Sequence, residues 1–128
     1  LSYSFDDLNN LPHVKDWIIG FIEGNGSFYI IKEKNRVEFN LSQKQEKQLL
    51  ENIGKIMGLS GKISVSIKNN GQCILTAVNL KDIQGVVNFM CNPERIRLKG
   101  MKKVKYLLWL KELRRNPRYK GIKIPDKY

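Results

Sequence analysis

The chain has 128 residues, is 41% apolar and carries a formal charge of +11, which suits a single domain with a real core and an acidic partner. No apolar run approaches the roughly 20 residues that a bilayer span needs, so a transmembrane role is excluded. The two cysteines, Cys73 and Cys91, stand in no metal-ligating spacing and read as buried free thiols rather than a disulfide or zinc framework.

The first predicted element is an amphipathic helix in which Val14, Trp17, Ile18, Phe21 and Ile22 recur at helical spacing, starting near Pro12 with Asn10 as candidate cap. Gly20 and Gly24 fall on one face of it. Each costs about 1 kcal/mol relative to alanine unless another backbone packs there, so the pair predicts a helix-pairing face. A hairpin follows, Ser27 to Lys32 and Val37 to Ser42, in which Val37, Phe39 and Leu41 alternate with Glu38, Asn40 and Ser42. A second helix is predicted from about Lys44 to Met57, with Leu49, Leu50, Ile53, Ile56 and Met57 inward and Gly58 as its stop. In the second hairpin Ile63, Val65 and Ile67 alternate with Lys62, Ser64, Ser66 and Lys68, and Asn69-Asn70-Gly71 turns the chain into Gln72 to Val78. Asn79 is positioned to cap a third helix with Leu80, Ile83, Val87 and Met90, and Pro93 separates it from the last. In that last helix Met101, Val104, Leu107, Leu108 and Trp109 are expected to cover the sheet, which leaves no apolar face for a membrane surface.

The order α-β-β-α-β-β-α-α predicts an α+β fold over residues 1–128, with a four-stranded antiparallel sheet covered by helices on one face. The open face would carry Tyr29, Lys32, Asn40, Ser42, Lys62, Ser64, Ser66 and Gln72, with Lys34, Arg36 and Lys68 beside them; such twisted ribbons fit the major groove of DNA. Charge is concentrated at the end: residues 1–94 hold 10 basic and 10 acidic side chains, residues 95–128 hold 13 and 2. From about residue 99, the basic helix and tail offer Arg114, Arg115, Arg118, Lys120 and Lys123 to phosphates, and Tyr119 and Tyr128 to unpaired bases.

Three segments carry a family resemblance: Ile18-Ile19-Gly20-Phe21-Ile22-Glu23-Gly24-Asn25-Gly26, Phe39 to Lys44, and Arg97 to Lys103. Together they resemble the LAGLIDADG homing endonucleases and RNA maturases, and the likeness runs over nearly the whole chain. It implies a saddle-like sheet, a signature helix that pairs through Gly20 and Gly24 with the helix of a second subunit or half, and an acid at the motif's eighth letter that holds a divalent metal. That letter here is Asn25. Gln43 matches a glutamine that organises active-site water, and Lys99 a lysine near the scissile phosphate.

Mg²⁺ is a hard cation held by carboxylates, waters and phosphate oxygens, and metal-assisted phosphodiester hydrolysis depends on it. A neutral amide is a poor replacement, and Glu23, two residues earlier, is turned by about 200° on a helix. The expectation is therefore a LAGLIDADG-like nucleic-acid-binding protein that does not cut and needs no cofactor. Structured RNA is the favoured partner, as for a maturase or a component of an organellar ribonucleoprotein such as the mitochondrial ribosome, and duplex DNA comes second. The alternative is a Mg²⁺-dependent, site-specific DNA endonuclease acting as a dimer or as half of a two-motif enzyme; a non-cutting DNA-binding regulator is the third. The tail from Ile122 to Tyr128 resembles the ends of fungal mitochondrial intron proteins, which implies a mitochondrial location and a natural C-terminus, with the chain as the second half of a longer reading frame.

Overall fold

In the computed structural model, residues 4–59 and 71–125 are described in full and residues 64–68 as backbone. The expected Lys62 and the turn at Asn69-Asn70 lie outside the described residues, as does Tyr128.

Among the described residues, five α-helices and four strands follow in the order α1 (Phe5–Asn9), α2 (Val14–Asn25), β1 (Gly26–Ile31), β2 (Arg36–Lys44), α3 (Lys47–Ile56), β3 (Ser64–Lys68), β4 (Gln72–Ala77), α4 (Leu80–Met90) and α5 (Gly100–Arg115). The short α1 was not read from the sequence; Ser4 caps it, its Oγ accepting from the Asp7 N–H at 3.1 Å. His13 adopts a left-handed conformation (φ 58°) between α1 and α2, so α2 starts at Val14, after the position near Pro12 that proline and Asn10 pointed to. Gln45, also left-handed (φ 54°), ends β2 and delays α3 to Lys47. Gly58 (φ 78°) stops α3 as expected, and Asn79 caps α4 by accepting the Asp82 N–H at 2.8 Å.

The sheet is antiparallel with strand order β1-β2-β4-β3, so the two hairpins join through β2 and β4. Val37, Phe39, Leu41, Cys73, Leu75 and Ala77 form its inner face, packed beneath helices α2 to α5. Phe28 sits at the centre of an aromatic group, 5.1 Å from Phe39, 5.0 Å from Tyr106 and 5.3 Å from Trp109 between ring centroids. Trp109 also donates from Nε1 to the Glu38 carbonyl at 3.1 Å, which seats α5 on β2.

Two expectations about helix faces are corrected. Trp109 does cover the sheet, but with Tyr106, Leu110 and Leu113; Met101, Val104, Leu107 and Leu108 face solvent, because α5 is apolar on both sides and only one can reach the sheet. Trp17, part of the predicted apolar periodicity, is likewise exposed on α2, whose buried side is Val14, Ile18, Ile19 and Ile22.

The C-terminal residues form a strap on the body. Tyr119 is buried, its hydroxyl accepting the Val37 N–H at 2.8 Å, and Arg118 donates to the Lys34 and Asn35 carbonyls at 3.2 and 3.0 Å. Further on, Gln84 and the Lys123 backbone exchange hydrogen bonds of 2.9 and 2.7 Å. Both cysteines are free and buried, as expected.

Candidate nucleic-acid interface and helix-pairing site

The signature segment ends where α2 turns directly into β1. Gly26 makes that turn possible, because a Cβ there would lie 2.8 Å from the Ile22 side chain and carbonyl. Asn25, the last helical residue, then points its amide at β2: Nδ2 donates to the Ser42 carbonyl at 2.8 Å and to Gln43 Oε1 at 2.9 Å. The structure thus brings together Asn25 and Gln43, two residues picked out in separate segments of the sequence. It adds Lys102, whose ammonium donates to the Gly26 carbonyl. Lys99, the residue chosen from that stretch, instead precedes the first turn of α5 and is exposed. Helical spacing from Lys99 was the signal that could have found Lys102, since it lies three residues on, one turn into α5.

This cluster does not fit Mg²⁺. At its centre the Asn25 amide nitrogen donates to two oxygen acceptors, a pattern a carboxylate cannot reproduce because it donates nothing when ionised. Among the described residues, no group of three His, Cys, Asp or Glu side chains lies close enough to hold a metal ion.

The pairing face is open. Gly20 and Gly24 are both exposed, and a Cβ built on either meets nothing within 4 Å. Beside them Trp17, 48% exposed, stacks on Phe21 at 5.5 Å between centroids. A flat glycine floor with an aromatic wall can seat a second helix at close approach.

The outer sheet face is set by strand register. Ser27, Asn40, Thr76 and Ser64 form one row across the sheet; Ser42, Ile74 and Ser66 form a second, and Lys44, Gln72 and Lys68 a third. Tyr29, exposed, pairs with Glu38 on the same face, and Asn40 Oδ1 is buried without a hydrogen-bond partner among the described residues. Lys32 and Lys34 stand exposed on the turn between β1 and β2.

Several cations expected on phosphates are engaged within the chain. Arg36 pairs with Glu38 at 2.6 Å, and Arg115 grips both carboxylate oxygens of Glu112 at 2.7 Å. Arg118 is tied to the hairpin turn, and Arg114 reaches the Pro125 carbonyl at 3.3 Å. Lys120 and Lys123 are exposed. Tyr119, expected to stack on bases, is corrected: the residue is 1% exposed, and its hydroxyl turns inward to satisfy a strand N–H.

The family description "LAGLIDADG endonuclease" matches residues 18–113, from the middle of α2 to the end of α5. The chain belongs to the LAGLIDADG endonuclease family. A protein of Schizosaccharomyces pombe named "Probable intron-encoded endonuclease Cox1-I1b" is 30% identical over 113 residues, covering 84% of this chain and 29% of that protein. The LAGLIDADG domain therefore spans less than a third of the relative it matches. Among solved structures, the homing endonuclease I-GzeII in complex with its DNA target superposes with a TM-score of 0.66 at 26% identity, over 88% of this chain and 38% of that one. I-TnaI gives 0.62 at 22% identity over 76% and 69% of the two chains, and I-AabMI bound to uncleaved DNA gives 0.64 at 18% over 82% and 38%. The last two support the LAGLIDADG fold alone.

Proposed function

We propose that this chain is one half of a LAGLIDADG unit that binds duplex DNA on its outer sheet face, pairs through Gly20 and Gly24 with a second, non-identical half, and supplies no metal-binding acid of its own. The hydrogen bonding of Asn25 carries this reading, since its amide nitrogen is committed to Ser42 and Gln43 where the family places an acid. A second copy of the same chain would bring a second neutral amide to the shared site, so a homodimer is a binder and not a nuclease. Any Mg²⁺-dependent cutting then depends on acids from the other half. The match to an intron-encoded endonuclease and the likeness to DNA-bound I-GzeII support duplex DNA over RNA, and they support an origin in a mitochondrial intron.

RNA binding, as in a maturase or an organellar ribonucleoprotein, is the second reading, and the basic last quarter of the sequence favours it. It is weakened because Tyr119 is buried and Arg115 and Arg118 are tied to the body. The test is competitive binding of the chain to a randomised duplex DNA library and to structured RNA at fixed salt. Duplex selection that is relaxed by Asn40→Ala and Tyr29→Ala supports the DNA reading; tight RNA binding indifferent to both substitutions overturns it.

A further inference from the structure

We propose that the solvent face of α5 is a docking surface for an acidic amphipathic helix of a protein partner, a role independent of the DNA reading above. Met101, Val104, Leu107 and Leu108 are 70%, 46%, 41% and 52% exposed, although they belong to the same helix that buries Tyr106, Trp109, Leu110 and Leu113. At 100° per residue, Val104 lies nearly opposite the centre of that buried side, with Met101 and Leu108 on its one flank and Leu107 on its other. They form an apolar ridge about 10 Å long. Leu108 also forms the lip of a recess of about 250 Å³ against the outer edge of β1, which is lined by Ile30, Lys102 and Lys105.

The surroundings of the ridge decide its occupant. Lys103, Lys105, Lys111 and Arg114 are exposed around it, and the one acid of α5, Glu112, is held by Arg115. A second copy docking here would set these cations against their own kind. A nucleic-acid backbone would satisfy the lysines but leave four aliphatic side chains against phosphates. A helix with leucines along one stripe and glutamates on both sides of it satisfies both. Because α5 covers the inner side of the sheet, such a partner would leave the outer sheet face accessible.

The probe is a synthetic amphipathic peptide with leucines at i, i+3, i+4 and i+7 and glutamates elsewhere, titrated by fluorescence anisotropy against the full chain. Saturable binding is expected, weakened by added salt and by about tenfold or more in Leu108→Glu and in Val104→Glu, both exposed positions that leave the core intact. Far-UV circular dichroism of both variants checks folding. Three results overturn the proposal: no saturable binding, or binding unchanged in both variants; ridge-dependent binding to anionic phospholipid vesicles in place of the peptide; and concentration-dependent self-association abolished by Val104→Glu. No duplex DNA binding by the parent chain, with peptide binding intact, would count against the DNA reading alone.

Discussion

The Nδ2 of Asn25 lies 2.9 Å from Gln43 Oε1, so the end of the signature helix is stitched to β2 by two neutral side chains. The position that the family resemblance assigns to a metal-binding acid is here a structural cross-link. Its replacement by an acid is more than the return of a missing charge.

In Asn25→Asp, Gln43 can turn its amide to donate, but the Ser42 carbonyl is left facing a carboxylate oxygen. The variant is expected to lose about 1–3 kcal/mol, the cost of opposing a partly buried acceptor with another acceptor. Thermal unfolding with and without Mg²⁺ reads this directly. A melting point of the parent chain, with Asn25 in place, that rises on adding Mg²⁺ would mean that the residues present do assemble a metal site, against the assignment made above.

Gly20→Ala is expected to stabilise the isolated chain by about 0.5–1 kcal/mol, since the added Cβ meets nothing and the unfolded chain loses freedom. The same change should weaken pairing with a second signature helix. Chemical denaturation of the chain alone, beside sedimentation of the chain with a two-motif relative's other half, separates the effects. A destabilised Gly20→Ala chain would show that this face is already covered from within.

Tyr119→Phe removes the hydroxyl that accepts the Val37 N–H and should cost about 1–3 kcal/mol in urea unfolding. Nucleic-acid affinity should be unchanged. A selective loss of affinity at constant stability would return Tyr119 to the binding surface.

Arg115 holds the Glu112 carboxyl below the usual carboxylate range, and Asn116 adds to this, against an opposing contribution from burial. Because the folded value lies below the unfolded one, the stabilisation is complete above the ordinary carboxylate range and is lost as pH falls through the folded value. Glu112→Gln should flatten that acid limb of the stability profile. An unchanged limb would assign it to other carboxyls.

Much of the fold was legible because apolar periodicity dictates which residues can share a core. The alternation of Val37, Phe39 and Leu41 marked β2, and Asn79 marked the start of α4, each through a local rule. What escaped was non-local. Nothing around His13 announces a left-handed residue, and the apolar residues of α5 satisfy helical spacing on two faces, so the choice between them is made by Phe28 and the Glu38 carbonyl, far away in sequence. At the site, Asn25 and Gln43 were found through the family motif. The contact of Lys102 with the end of the signature segment depends on how α5 is seated, which no local rule gives.

The bond between Val37 and Tyr119 spans 82 positions of sequence. The first hairpin is synthesised well before residues 118 and 119, yet one of its strand N–H groups and two carbonyls of its turn acquire these side-chain partners only when Arg118 and Tyr119 arrive. Long-range closure of this kind slows folding. During synthesis, therefore, the hairpin waits with its tip unanchored, and the final ten residues of the described chain act as the latch that completes a sheet begun nearly a hundred residues before.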